Sequence, residues 1–101
     1  KQYTDFVGKP ALPPFWSLGF HLCRWGYNSV AKTREVADQM RAAKMPQDAQ
    51  WNDIDYMQAF LDFTLDPVRY PTQEMKSFVS NLHSNGQHYV MIVDPGISTA
   101  T

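Results

Sequence analysis

The sequence has only one cysteine, Cys23, among its 101 residues. A single thiol cannot form an internal disulfide, so no disulfide framework can hold this fold together. Cys23 ends the apolar run LGFHLC at residues 18–23. That setting favours a buried, unreactive thiol over a nucleophile.

Long apolar runs and an excess of one charge are also missing. No stretch approaches the roughly 20 apolar residues of a transmembrane helix. The formal net charge is −1, which gives no electrostatic reason for binding to nucleic acid or to a membrane surface. We therefore expect neither nucleic acid nor a membrane among the partners.

The short motifs that announce a cofactor or a nucleophile are absent as well. The five glycines are isolated, so there is no Gly-x-Gly-x-x-Gly loop, no Walker loop and no Gly-x-Ser-x-Gly elbow. His21, His83 and His88 have no His or Cys neighbours at metal-ligand spacing. The sequence predicts no metal site and no cofactor.

What the sequence does contain is an alternation of two patterns. Apolar or β-prone stretches predict strands at residues 15–23, 48–54 and 88–93, of which the second is unusually polar. Helical periodicity and end signals predict helices at residues 30–45 and 71–85. Residues 1–14 carry three prolines, which favour an extended or turning segment.

Strand, helix, strand, helix, strand is the order of a parallel α/β fold with crossover helices. Leu22 to Asp53 is 31 positions and Asp53 to Asp94 is 41, which is compatible with an eight-stranded barrel of roughly 31 residues per unit that carries one longer loop. A doubly wound sheet would fit nearly as well. Spacing alone leaves both open.

In either fold, ligands meet the carboxyl ends of the strands. Three such ends carry aromatic and acidic side chains, at residues 24–27, 52–55 and 94–95. Carboxylates accept hydrogen bonds from sugar hydroxyls, and indole rings pack on the C–H face of a sugar. The alternative is structural: Asp53 and Asp55 cap a turn, Asp94 starts one, and Trp25 belongs to the core. The residues by themselves leave both interpretations open.

Three longer strings carry a family resemblance. They are PPFWSLGFHLCRWGY at residues 13–27, DAQWNDIDYM at residues 48–57, continued by DFT at residues 62–64, and MIVDPGI at residues 91–97. In this order and spacing they resemble the first three strands of the catalytic barrel of a family 31 glycoside hydrolase. The match runs from about Tyr3 to Ile97, and its detail resembles the maltase and acid α-glucosidase type, with a fungal leaning.

The resemblance implies a fragment of a (β/α)8 TIM barrel, with about three strands and two intervening helices. Residues 1–101 would then be a partial catalytic domain, cut from a longer chain. The implied activity is that of a retaining, exo-acting α-glucosidase that releases terminal glucose from maltose-like chains or starch. Its implied partners are an α-glucoside substrate and the remaining parts of the same enzyme, and its implied location is secreted or lysosomal/vacuolar.

The resemblance also assigns residues. Asp53 corresponds to the family aspartate that binds sugar hydroxyls, Ile54 and Ile92 to apolar pocket positions, and Trp25 to an aromatic wall. Asp94 corresponds to a supporting residue behind the pocket. No catalytic residue is expected here, because the family nucleophile follows the fourth strand and the acid/base lies later still.

Two other functions remain open at this stage. A related α-xylosidase or transglucosidase shares the second-strand and third-strand strings. A barrel that binds carbohydrate without catalysis would also keep them. The sequence downstream of this segment, which either contains the two catalytic acids or does not, would separate the enzyme from the binding protein.

Overall fold

A computed structural model describes residues 1–96. Its helices are α1 (Gln2–Val7), α2 (Val30–Ala42) and α3 (Thr72–Ser84), and its strands are β1 (His21–Leu22), β2 (Ala49–Asn52) and β3 (His88–Met91). Three short 3₁₀ helices lie in the connections, at Phe15–Leu18, Ile54–Tyr56 and Gln58–Phe60.

The three strands form one parallel sheet with β2 in the centre. His21 pairs with Ala49, and Ala49 pairs in turn with His88, so the strands begin at the same level. Asn52 pairs with Met91 at the opposite end. The predicted alternation of parallel strands with helices is confirmed, and the carboxyl ends of all three strands lie along one edge.

Both longer helices lie within their predicted ranges, residues 30–45 and 71–85, although α2 ends at Ala42, three residues earlier than predicted. The Ser29 hydroxyl caps α2 by accepting the Lys32 N–H at 3.1 Å. Pro71 is the N-cap of α3, whose first intrahelical bond runs from the Met75 N–H to the Pro71 carbonyl, and Asn85 is its C-cap. Because start and stop signals are local, the sequence predicted these ends closely, although it left the cap of α2 open between Asn28 and Ser29.

The sheet has one face towards the helices and one face away from them. On the helix side, Asn52 of β2 bonds to Thr33 of α2, and Phe78 of α3 meets the ring of Tyr89 edge-on at 6.0 Å. On the other side, the Trp51 indole donates to His21 Nδ1 at 2.9 Å. Side chains alternate along each strand, so every second residue serves each face.

The predicted strand at residues 15–23 is wrong over most of its length. Phe15–Leu18 is a 3₁₀ helix, because the Ser17 N–H and hydroxyl both donate to the Pro14 carbonyl. Phe15 is 92% exposed, so the apolar run is not covered on both faces as a central strand would be. Only His21–Leu22 is strand, and Cys23 lies beyond it with an exposed side chain, contrary to the buried thiol that the run predicts.

The other predicted strands are in the right place but shorter. Residues 48–54 contain β2, which stops at Asn52 because Asp53 caps a 3₁₀ turn. Residues 88–93 contain β3, which stops at Met91. Ile97, the last residue of the third motif, lies outside the described residues.

The first 14 residues also differ from the prediction of an extended segment. Residues 2–7 form α1, which starts with the Asp5 N–H donating to the Lys1 carbonyl and ends at Gly8, whose φ is +88°. The first proline is Pro10. The prolines therefore disfavour a helix at residues 10–14 but do not affect residues 2–7.

A large apolar surface is left open among the described residues. The radius of gyration is 16.5 Å, against about 13 Å for a compact domain of 100 residues. A groove of about 880 Å³ runs between α3 and β3 on the helix side, with Met75, Val79 and Met91 among its lining residues. Both outer strands, β1 and β3, have one unpaired edge in this sheet.

We therefore expect the 101-residue chain on its own to lack a cooperative folding transition. The exposed groove and strand edges favour association between chains over a stable monomer. The measurement is thermal and urea unfolding of the purified chain, followed by circular dichroism and light scattering, with the natural protein that contains this sequence as the control. A single cooperative transition of a monomer would contradict this expectation.

Candidate functional site

The carboxyl ends of β1, β2 and β3 each lead into a loop, and hydrogen bonds join these three loops. The loop after β2 is in the middle and makes the connections to both neighbours. All five residues that the resemblance assigns lie in these loops or at their start: Trp25 after β1, Asp53 and Ile54 after β2, Ile92 and Asp94 after β3.

Asp53 is half-buried and uses one of its two carboxylate oxygens within the protein. Oδ1 accepts the Ile54 N–H at 2.7 Å and so caps the 3₁₀ helix Ile54–Tyr56. Oδ2 has no hydrogen-bond partner in the described part of the chain. The turn-cap interpretation of Asp53 is thus correct for one oxygen and leaves the other available to a ligand.

Asp55 is buried and bonds across to another loop. Its Oδ2 accepts the Gly26 N–H of the loop after β1 at 2.9 Å, and its side chain is only 6% exposed. Asp55 therefore does not cap its own turn through this bond. It links the carboxyl ends of β1 and β2.

Tyr56 makes the corresponding link to β3. Its hydroxyl donates to the Ile92 carbonyl at 2.6 Å, and the Ile92 N–H donates to the Asn52 carbonyl at 3.2 Å. Burial raises the pKa of Tyr56 first, and the charges of Asp62 and Asp94 raise it further. The phenol thus remains a donor at neutral pH, and the backbone of Ile92 is fixed from two sides.

A buried hydrogen-bond network around the Asn52 side chain connects to the same loops. Asn52 Nδ2 donates to Thr33 Oγ1 at 2.9 Å and to the Tyr70 hydroxyl at 3.3 Å, while Asn52 Oδ1 accepts from the Tyr89 hydroxyl at 2.9 Å. The Tyr70 hydroxyl donates onward to the carbonyl of Tyr27, in the loop after β1. Burial, the largest cause, raises the pKa of Tyr70 to about 12, so this donor keeps its proton.

The remaining assigned residues differ in exposure. Trp25 is 68% exposed, so it is not the core residue that the structural alternative requires. Ile54 and Ile92 are half-buried, and Asp94 is exposed. The Asp94 backbone N–H donates to Asp62 Oδ1 at 3.3 Å.

Cys23 stands beside the acids of this edge. Loss of hydration raises the pKa of its thiol, and the carboxylates of Asp53 and Asp55 raise it further. A raised pKa reduces the thiolate fraction at neutral pH, which is the opposite of what a nucleophilic cysteine needs. The unreactive thiol is therefore supported, although its predicted burial is wrong.

Within residues 1–96, no three His, Cys, Asp or Glu side chains come together as metal ligands would. No helix in that part of the chain is long and apolar enough to cross a membrane.

Sequence reasoning missed three residues that hold this edge together: Asn52, Tyr56 and Tyr70. The signal available for Asn52 was the polarity of β2, since an amide inside a strand that is otherwise flanked by apolar elements must be hydrogen-bonded when buried. No comparable signal exists for the two tyrosines, because their partners are backbone carbonyls that are distant in sequence.

The chain is similar in sequence to one family of known proteins. Residues 10–101 match the model of the glycosyl hydrolases family 31 TIM-barrel domain. The chain is 51% identical over 100 residues to an alpha-glucosidase of Candida tsukubaensis, covering 99% of this chain and 9% of that protein. It is 50% identical over 100 residues to the lysosomal alpha-glucosidase of Bos taurus, covering 99% and 10%.

Two further matches bear on specificity and fold. Alpha-xylosidase 1 of Arabidopsis thaliana is 48% identical over 96 residues, covering 95% of this chain and 10% of that protein. The Tris-bound crystal structure of a glucosidase II alpha subunit superposes with a TM-score of 0.88 at 32% identity, covering 98% and 10%. The chain thus spans about a tenth of the length of the relatives it matches.

The position of Cys23 allows a chemical test of the acids. In the natural protein that contains this sequence, we expect the alkylation rate of Cys23 to rise with pH around a midpoint above the value of about 8.5 for free cysteine. Asp53→Asn removes one of the charges that raise the pKa, so its midpoint should be lower. The measurement is iodoacetamide labelling across pH, read on the Cys23 peptide by mass spectrometry.

Asp38→Asn is the matched control for this labelling experiment, because Asp38 is exposed on α2 and pairs with Arg41. It should leave the midpoint unchanged. An unchanged midpoint in Asp53→Asn would mean that the Asp53 carboxylate does not stand beside Cys23.

Proposed function

The chain belongs to glycosyl hydrolase family 31, and from that premise we propose that it forms the first three strands of the catalytic barrel of an α-glucosidase. Residues 1–101 are then one part of a larger domain, and the rest of the same enzyme covers the open groove and strand edges. The identity of about 50% to two alpha-glucosidases over nearly the whole chain supports this choice.

The proposed substrate is a terminal α-linked glucose of maltose, maltooligosaccharides or starch. A retaining glycosidase uses two carboxyl groups about 5–5.5 Å apart, one as nucleophile and one as acid/base. We assign neither role to a residue of this segment. Its contribution is binding: the segment supplies one side of the glucose pocket.

A single observation carries the proposed role of Asp53. Its Oδ1 is fixed by the Ile54 N–H, while its Oδ2, at the carboxyl edge of a parallel sheet, has no hydrogen-bond partner among residues 1–96. A carboxylate oriented in this way can accept hydrogen bonds from adjacent sugar hydroxyls without reorganising. Trp25, with its exposed ring, would form an aromatic wall, and Ile54 and Ile92 would provide apolar contacts.

Asp94 has a weaker basis and is proposed as a support behind the pocket. Its backbone bond to Asp62 joins the loop after β3 to the long loop after β2. The proposed site needs no cofactor or metal. For the enzyme as a whole we propose a secreted or lysosomal/vacuolar location, in keeping with the lysosomal relative.

An α-xylosidase is the second candidate, favoured by the 48% identity to alpha-xylosidase 1. Xylose lacks the hydroxymethyl group of glucose, so a pocket shaped for xylose would exclude glucose by size. Comparing hydrolysis of 4-nitrophenyl α-glucoside and α-xyloside by the natural protein separates the two. Inspection of the products at high maltose concentration would detect a transglucosidase, and a protein that binds maltose without hydrolysing it would be the non-catalytic alternative.

Asp53→Asn tests the proposed site. The amide oxygen of Asn can still cap Ile54, so the fold should survive, but the charged acceptor towards the sugar is lost. Removing such a charged hydrogen-bond partner costs about 1.5–3 kcal/mol, so kcat/KM for maltose should fall at least about tenfold, or ~1.4 kcal/mol. Because remote contacts also position the reacting carbon, part of the loss should appear in kcat.

Asp48→Asn is the control for Asp53→Asn. Asp48 lies at the opposite, amino-terminal end of β2, where its Oδ2 accepts the Phe20 N–H at 2.8 Å. It should retain the wild-type kcat/KM. If Asp53→Asn hydrolyses maltose like the wild type, Asp53 is only a turn cap and the proposed binding role fails.

A further inference from the structure

Trp25 has little packing of its own to hold it in place. Its side chain is 68% exposed, whereas Tyr27, two residues later, is 5% exposed. The backbone that carries such a side chain sets the direction of its Cα–Cβ bond and which staggered rotamers it can adopt. The backbone beside Trp25 therefore determines the side of the loop from which the ring projects.

That backbone turns at Gly26. Its φ is +108°, in the region that side-chain-bearing residues rarely adopt, while a Cβ at this position would meet nothing closer than Arg24 Nε at 3.9 Å. Glycine is thus required here by conformation and not by a shortage of space. A hydrogen bond to a polar group of such a turn restricts its conformation further.

Asp55 holds it. The Gly26 N–H donates to Asp55 Oδ2 at 2.9 Å. The accepting residue is 6% exposed and lies 29 positions away in sequence. On the other side of the turn, the Tyr27 carbonyl accepts from Tyr70. Two hydrogen bonds therefore fix the turn at Gly26, and the bond to Asp55 is the one adjacent to Trp25 in sequence.

We propose that Asp55 is a positioning residue for carbohydrate binding, acting through the Gly26 N–H to fix the Trp25 ring as the wall of the pocket. The inference rests on the proposed function, in which Trp25 contacts the sugar. The two acids of the loop after β2 then have different roles. Asp53 binds the sugar, whereas Asp55 bonds to the neighbouring loop and does not contact the sugar.

The test is a double-mutant cycle in the complete natural enzyme, with kcat/KM for maltose as the readout. Asp55→Ala should lower kcat/KM about tenfold in the wild-type background and by less than about twofold in the Trp25→Ala background, because residues that act through one another are not additive. A merely structural role for Asp55 would give the same loss in both backgrounds, and that result would overturn the proposal.

Asp55→Asn provides the conservative variant, since its amide oxygen can still accept the Gly26 N–H. We expect an intermediate loss of about two- to fivefold, because a neutral acceptor forms a weaker bond than a carboxylate. If Asp55→Ala does not fold, the same cycle is measured with Asp55→Asn. The smaller loss should again disappear in the Trp25→Ala background, and its persistence there would overturn the proposal.

Asp48→Ala is the matched control for this cycle. Asp48 also accepts a backbone N–H from a residue flanking β1, that of Phe20 at 2.8 Å, but at the other end of the strands. Its loss should lower the melting temperature and leave kcat/KM unchanged. An equal loss of kcat/KM in Asp48→Ala and Asp55→Ala would overturn the proposal, because it would assign the effect to the sheet and not to the pocket edge.

The outcomes also separate this inference from the proposed function. An enzyme that does not act on α-glucosides fails the proposed function before the cycle begins. If the enzyme hydrolyses maltose and Trp25→Ala has the wild-type kcat/KM, the proposed activity is correct but Trp25 does not bind the sugar. That result also contradicts the positioning role of Asp55.

Discussion

A buried amide in the central strand is the constraint on which the rest of this segment depends. Asn52 is fully buried, so its donors and acceptor must find partners within the protein. It finds them in Thr33 of α2, in Tyr70 before α3 and in Tyr89 of β3. Each of these hydroxyls is oriented by the bond, and Tyr70 carries the connection to the loop after β1. One side chain thereby fixes the helix layer, the neighbouring strand and a loop relative to β2.

The carboxyl edge of the sheet, where the sugar site is proposed, depends on the position that Asn52 fixes. The loop that follows Asn52 bonds to the loop after β1 through Asp55 and to the end of β3 through Tyr56. Because neither β1 nor β3 is longer than four residues, the sheet itself contributes few bonds to their ends. Side-chain bonds from the central loop replace them, and within residues 1–96 they leave Asp53 Oδ2 without a hydrogen-bond partner.

The sequence predicted the alternation of elements, the parallel sheet and both long helices, because caps and periodicity are local. It failed at residues 15–18, where two prolines and Ser17 make a 3₁₀ turn that an apolar run does not reveal. It failed again at residues 2–7 and at the exposure of Cys23. In the candidate site, the residues themselves left the choice between turn cap and sugar ligand open, and in the described residues Asp53 combines a capping oxygen with one that has no hydrogen-bond partner. The partner of Asp55 could not be predicted, since a backbone N–H 29 residues away leaves no mark in the sequence.

The most direct test is a crystal structure of the complete natural enzyme with a glucose-like inhibitor bound. The central claim is that the loop after β2 presents Asp53 to the sugar and fixes Trp25 through Asp55. It predicts a sugar hydroxyl within about 2.5–3.0 Å of the Asp53 oxygen that does not cap Ile54, with the Trp25 ring against the sugar and the Gly26–Asp55 bond intact. An inhibitor bound away from this edge, or an Asp53 with both oxygens bonded to protein, would contradict it.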